Sequence, residues 1–113
     1  MKPASMKPAL MLAAALALAL ASLSALAKGD PVEGKKLVYT CTGCHGIAGY
    51  KNAYPNYHVP RLGGQSETYL VSALTEYKEG GRSHPTMHAQ AESFSAQDIA
   101  NIAAFLTSVG KKN

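Results

Sequence analysis

Apolar residues are distributed along this chain in two ways. From Leu10 to Ala21 they are continuous, and almost all are Leu or Ala. Beyond Gly29 they recur at helical intervals. Gly34, Leu37, Val38 and Cys41 stand at i, i+3, i+4 and i+7, as do Leu70, Ala73, Leu74 and Tyr77, and Ile99, Ile102, Ala103 and Leu106. Each set has start and stop signals. Asp30-Pro31-Val32-Glu33 reads as an N-cap, a proline at the first helical position and a capping box closed by Glu33. Ser66 caps the second helix and Gly80-Gly81 ends it. Ser95 to Asp98 reads as a further capping box, Gly110 as a stop, and Lys111-Lys112 suit the negative end of that helix. Lys28-Gly29 reads as a frayed start. No strand-like alternation appears, so the prediction is an all-α domain of three to four short helices. Gly34 lies on an apolar helical face, where glycine costs about 1 kcal/mol, and this predicts close approach by another helix.

Two stretches lack periodicity: Gly46 to Gln65, and Gly81 to Phe94. A structureless loop of about 20 residues is unusual in a compact domain. It is expected where the loop wraps something large that is not protein. Tyr50, Tyr54, Pro55, Tyr57 and Pro60 give the first loop stiff, amphipathic material for that task.

The continuous apolar run follows Lys2 and Lys7 and ends in Ala25-Leu26-Ala27, a small-x-small sequence. This is the pattern of a secretory signal peptide, with cleavage expected after Ala27. Residues 1–27 are therefore assigned to a leader and 28–113 to one domain. The alternative is an uncleaved anchor, in which case the protein stays at a membrane; the run is near the lower limit of about 17–20 residues for a span. Cleavage leaves 86 of the 113 residues. A core of side chains alone is marginal at that size, and a staple is usual. Loss of Lys2 and Lys7 takes the basic residues from eleven to nine, against seven acidic ones. The remaining lysines are scattered, so nothing points to nucleic acid.

The chemistry concentrates in Cys41-Thr42-Gly43-Cys44-His45. Two cysteines with two residues between them, followed at once by histidine, form the attachment signature of a c-type haem. The spacing lets both thiols reach the two vinyl groups of one porphyrin edge, and His45 then supplies an axial nitrogen to the iron. Thr42 and Gly43 are small enough for the turn to lie close to the ring. Haem c would serve as staple and as the centre of the core. Candidates for the sixth iron position are Met87, His58, His84 and His88. Methionine ordinarily fills core gaps. Met87 is favoured as ligand because it is the only methionine after the leader and sits in a loop with little other apolar content, stiffened by Pro85. A thioether raises the potential, whereas a second imidazole lowers it. Pro60 has a free carbonyl and is a plausible partner for the second nitrogen of His45. Arg82 is either a propionate partner or a solvated loop arginine.

With these residues in place, the chain from about Asp30 to Ser108 resembles the bacterial class I cytochromes c, in particular the small periplasmic monohaem members and single domains of dihaem relatives. The matching pieces are Cys41 to Gly46, Tyr54-Pro55, Pro60 to Gln65, Tyr69-Leu70, Leu74, Gly81-Arg82, Met87, and Asp98-Ile99 to Ala104-Phe105-Leu106. The resemblance implies a cytochrome c fold wrapped around one covalent haem, with the first and last helices crossing near Gly34 and Phe105. It further implies His45 and Met87 as iron ligands, the Pro60 carbonyl accepting from His45, and Leu62 packed on the haem. His84 and His88 around Met87 depart from the family pattern and leave a ligand switch open. The tyrosine-rich stretch from Tyr50 to Tyr57 is a second departure.

The function these readings predict is periplasmic one-electron transfer between larger redox proteins, with no catalysis, since both axial positions are filled. The alternative is a cytochrome subunit held permanently by a periplasmic dehydrogenase or oxidase. A thiol-disulfide enzyme would need a βαβ pattern. A structural zinc site would need four ligands, with His58, His84 and His88 its only further donors. A haem enzyme would need an open sixth position. If both thioethers form, the coloured group stays with the polypeptide through acid and organic extraction; free porphyrin in the organic layer would refute attachment at Cys41 and Cys44.

Overall fold

A computed structural model of the chain describes residues 3–23, 28–47 and 59–110. Every regular element among them is a helix: α1 (Pro8–Leu23), α2 (Pro31–Leu37), α3 (Tyr39–His45), α4 (Glu67–Glu79), α5 (Pro85–Ala91) and α6 (Ala96–Ser108). The continuous apolar run forms α1, and Leu10, Met11, Leu12 and Leu16 along it are exposed. No helix among the described residues is long and apolar enough to cross a membrane. The expected cleavage site at Ala25 to Ala27 lies outside the described residues, as do Tyr50, Tyr54, Pro55, Tyr57, His58, Lys111 and Lys112.

Two glycines set the helix crossing. A Cβ on Gly34 would lie 1.9 Å from the Asn101 carbonyl oxygen and 2.9 Å from the Phe105 Cβ, so α2 and α6 meet backbone to backbone at the expected place. Gly29 makes a second such contact: its Cβ would lie 2.1 Å from the Ala100 oxygen. The start of the domain is therefore locked rather than frayed. The capping box expected at α2 is also replaced. Asp30 Oδ1 accepts from the Val32 amide at 2.8 Å, as expected. The Asp30 amide, however, donates to Asn101 Oδ1 at 2.8 Å, and Glu33 turns outward to Lys36 at 2.6 Å. A tertiary hydrogen bond to a buried asparagine has taken the place of the local one.

The first helical segment breaks at Val38, whose φ of −80° and ψ of 2° separate α2 from α3. Val38 is buried at this joint, and its carbonyl accepts from the Cys41 amide and the Thr42 hydroxyl. Helix α3 stops at Gly46, which is left-handed with φ 59°. The Ser66 cap, the Gly80 stop and the Ser95–Asp98 capping box all form as expected.

The stretch from Gly81 to Phe94 is not a loop throughout, because it contains α5. Pro85 occupies the first turn, and the His84 ring accepts from the Met87 amide at 3.2 Å as the N-cap. Met87 thus sits on a helix, not in a loop. Histidine is an uncommon cap, which is why the start of α5 is hidden in the sequence.

The core is small. Val38, Ile47, Leu70, Ile102, Ala103 and Leu106 are buried together, with Leu37, Cys41, Leu62, Leu74, Phe94 and Val109 packed against them. Among the described residues, only Ile102 and Leu106 are both large and fully enclosed. Helix α6 lies at the centre, against α2 on one side and α4 on the other, while α5 rests on α4. Gly34→Ala should force α2 off α6. The expected loss is about 3 kcal/mol, within the usual cost of overpacking. In a domain of this size that corresponds to a fall in melting temperature of roughly 10–20 °C, readable by thermal denaturation.

Candidate functional site

One cavity of about 260 Å³ lies among α3, α4, α5, α6 and the 59–65 turn. The residues singled out from the sequence converge on it: Cys41, Cys44, His45, Pro60, Leu62 and Met87 all line its wall. His58 lies outside the described residues.

The imidazole wall is built by α3. His45 is the last residue of that helix and only 6 % exposed. Its Nδ1–H donates to the Pro60 carbonyl at 2.8 Å; a carbonyl only accepts, so Nδ1 carries a proton, and in the neutral imidazole the lone pair is on Nε2. Among the described residues Nε2 has no hydrogen-bond partner. Pro60 is brought to this position by the turn that follows it. The Gly64 amide donates to the Leu106 carbonyl at 2.9 Å, and Gln65 Nε2 donates to the Arg61 carbonyl at 2.9 Å. Gly63 packs so closely that a Cβ would lie 3.3 Å from the Val109 side chain and 3.4 Å from the Ile47 oxygen. Gly64 has φ 81°. The Gly63-Gly64 pair therefore pins the turn to the end of α6, and Pro60 and Leu62 follow from it.

The two thiols differ. Cys41 is half-buried beside the core and Cys44 is exposed; both are free. Burial pushes the Cys41 thiol pKa above its ordinary value. Around Gly43 there is open space, so nothing obstructs the outer face of the turn.

The opposite requirement, a neutral sulfur donor, is met from α5. Met87 is half-buried and faces the same cavity. Its two histidine rivals are engaged elsewhere. His88 Nδ1–H donates to the Tyr77 carbonyl at 2.8 Å, its Nε2 lies 3.6 Å from Glu92, and it is not part of the cavity wall. His84 does line the cavity, but its Nδ1 is occupied as the α5 cap and its ring meets Tyr77 edge-on, with centroids 6.2 Å apart.

Arg61 and Arg82 are the charged side chains of the wall, and no carboxylate accompanies them among the described residues. Arg82 sits over the Tyr77 ring, 5.1 Å from its centroid, and 3.8 Å from Glu76. Hydrogen bonding with Tyr69, then the charge environment of Tyr77 and Tyr69, raises its pKa above the ordinary value. Arg82 is thus a fixed cation at the cavity. The donor set tests well against a covalent porphyrin: one imidazole nitrogen with no hydrogen-bond partner among the described residues, one thioether and two thiols with two residues between them share a largely apolar cavity with a cationic edge.

An all-helical frame that brings a Cys-x-x-Cys-His turn and a methionine to one apolar cavity defines a class of small haem-bearing electron-transfer domains. The chain belongs to the cytochrome c family: the Cytochrome c family description matches residues 31–110. It is similar to cytochrome c-554(548) of Halomonas halodenitrificans, with 41% identity over 83 residues, covering 71% of this chain and 96% of that protein. It is 38% identical over 82 residues to cytochrome c4 of Pseudomonas aeruginosa, covering 73% of this chain but 39% of that longer protein. It is 31% identical over 81 residues to the cytochrome subunit of sulfide dehydrogenase of Chlorobaculum tepidum, covering 72% of this chain and 70% of that one. The protein is accordingly an electron-transfer cytochrome that carries haem c and its iron.

Gly64→Val places a β-branched residue at a positive φ and should cost on the order of 1–3 kcal/mol. It should also release the Pro60 carbonyl from His45. Thermal denaturation reads the first effect and ¹⁵N NMR of the His45 ring, through its Nδ1–H signal, reads the second.

Proposed function

We propose that this protein is an exported carrier that moves one electron at a time between larger redox proteins, through a haem attached at Cys41 and Cys44 and ligated by His45 and Met87. The observation that carries the reading is the meeting of those four side chains in one cavity, with His45 oriented by the Pro60 carbonyl. The haem supplies the one-electron couple of its iron. The chain does the rest. Cys41 and Cys44 tether the ring, His45 presents Nε2, and the Pro60 carbonyl fixes the ring plane and makes the imidazole a better donor. Met87 contributes a soft neutral sulfur that favours the reduced state. Leu62, Leu70 and Ile102 exclude water, so little solvent has to reorganise when the charge changes. Arg82, held by Tyr69 and Tyr77, offers a cation to a propionate. His45 and Met87 would both be committed to the iron and would leave no open position on it for a substrate, which fits a carrier rather than an enzyme.

The leader at residues 1–27 fits export to the periplasm with cleavage after Ala27. The small-x-small ending of the apolar run, Ala25-Leu26-Ala27, favours a leader over a lasting anchor.

A second reading has its own support. One relative is the cytochrome subunit of sulfide dehydrogenase, and another, from Thiomonas intermedia, is a thiosulfate dehydrogenase electron acceptor. A permanent place beside such a dehydrogenase would give co-purification as a stable complex, whereas a free carrier elutes alone.

Met87→Ala should remove the weak near-infrared iron–sulfur band and lower the reduction potential. Survival of both would reject Met87 as the ligand. Lys28, Lys35 and Lys36 are exposed on or beside α2. Replacing all three with Glu should slow reaction with acidic partners and flatten or invert its salt dependence. An unchanged rate would place docking on another face.

A further inference from the structure

Helix α5 has seven residues. Helices shorter than about 12–15 residues are marginal on their own in water, so α5 needs tertiary ties to exist. Apart from the buried Ala91, those ties run to two consecutive residues of α4. The Tyr77 carbonyl accepts from His88 Nδ1–H at 2.8 Å, and the Tyr77 ring meets His84. Lys78 reaches across sixteen positions of sequence, and its Nζ donates to the carbonyl of Phe94.

The Lys78 contact is unusual for a lysine in the last turn of a helix. Such a residue ordinarily projects into solvent and favours the negative helix end. Lys78 is half-buried instead, and no carboxylate lies within ion-pair distance of its ammonium among the described residues. Its charge is directed at a neutral backbone acceptor, and hydrogen bonds from a charged donor are stronger than neutral ones. The acceptor is well placed to matter. The Phe94 amide donates to the Ala91 carbonyl at 3.1 Å, so residues 91–94 form the turn that closes α5. The Phe94 side chain lines the same cavity as Met87.

We infer that Lys78 is a positioning residue for the sixth ligand: its ammonium, bonded to the Phe94 carbonyl, latches the far end of α5 onto α4 and holds Met87 towards the cavity. The inference rests on Met87 being the iron ligand. Tyr77 holds α5 through His84 and His88, and Lys78 holds the turn that closes it at Phe94, so that the helix bearing the sulfur cannot swing on its N-terminal proline.

The test compares holoprotein variants. Lys78→Met keeps the aliphatic stem and removes the donor. Lys78→Arg keeps a cation. Lys35→Met removes the same charge from an exposed position on α2. The readouts are hydrogen exchange of the α5 amides from His88 to Ala91, the near-infrared iron–sulfur band followed as pH is raised, and the reduction potential. Lys78→Met should speed α5 exchange about tenfold or more, the fold-change expected for loss of a charged hydrogen bond. It should also make the band disappear at lower pH and lower the potential. In these three readouts, none of which involves a partner protein, Lys35→Met should match the wild type, and Lys78→Arg should lie close to it. If Lys78→Met behaves as Lys35→Met does, there is no latch. If α5 exchange rises while band and potential stay as in the wild type, Lys78 stabilises the helix without positioning the sulfur, and the inference fails. Should Lys78→Met not assemble, Lys78→Gln, whose shorter side chain withdraws the donor, is judged by the same readouts. A wild-type protein lacking the band refutes the Met87 reading itself; a wild-type band unmoved by the Lys78 variants refutes only the latch.

Discussion

The backbone contact between α2 and α6 governs everything placed around it. At Gly34 and Gly29 the two segments approach so closely that any side chain would strike the Asn101 or Ala100 carbonyl. That closeness lets the Asp30 amide reach the Asn101 side chain and buries Val38 at the end of α2. From Val38 the chain turns directly into α3, so His45 and both cysteines inherit their position from the crossing. The same α6 receives the 63–64 turn at its far end and α4 on its flank. One helix therefore indexes both walls of the cavity: the imidazole wall through α2 and the turn, and the sulfur wall through α4 and α5.

The two walls are held by different means. On the His45 side the constraints are mainly backbone contacts at closely packed glycines, which have no rotamers to lose. On the Met87 side they are long side chains: His84 and His88 reach to α4, and Lys78 of α4 reaches to the turn that follows α5. A wall made of backbone contacts yields only if the helices separate. A wall made of side-chain ties yields piecemeal, at a cost of about 0.5–3 kcal/mol per tie. The domain thus concentrates its rigidity on the wall that carries Cys41, Cys44 and His45 and leaves the lower local stability to α5, which carries Met87.

Much of this was legible in the sequence, for identifiable reasons. The Cys41–His45 spacing is local chemistry, and the Ser66, Gly80 and Ser95–Asp98 signals are satisfied within one helical turn, so nothing distant overrides them. The need of Gly34 for close approach follows from its place on an apolar face. What escaped depends on tertiary partners. The Asp30 amide found Asn101, 71 positions away, in preference to Glu33. Gly29 looked like a loose end because its partner, Ala100, is equally remote. Helix α5 was hidden because its cap is a histidine and its apolar content is slight; Pro85 at a first helical position was the available signal. The latch at Lys78 had no sequence signal, since a lysine near a helix end is ordinarily a solvated charge.

The placement of charge follows from the same economy. A carrier that changes its net charge by one unit needs surroundings that respond little, and fixed dipoles do this better than mobile water. Among the described residues the cavity wall carries apolar side chains and two arginines, and Arg82 is restrained by Tyr69, Tyr77 and Glu76 rather than left in solvent. The Nδ1 proton of His45 is committed to the Pro60 carbonyl, which holds the imidazole in one orientation. A protein with an apolar core this small has few side chains to spare for such restraint. It obtains it by making the elements that complete the core, α4 and α6, also the supports of the two ligand walls.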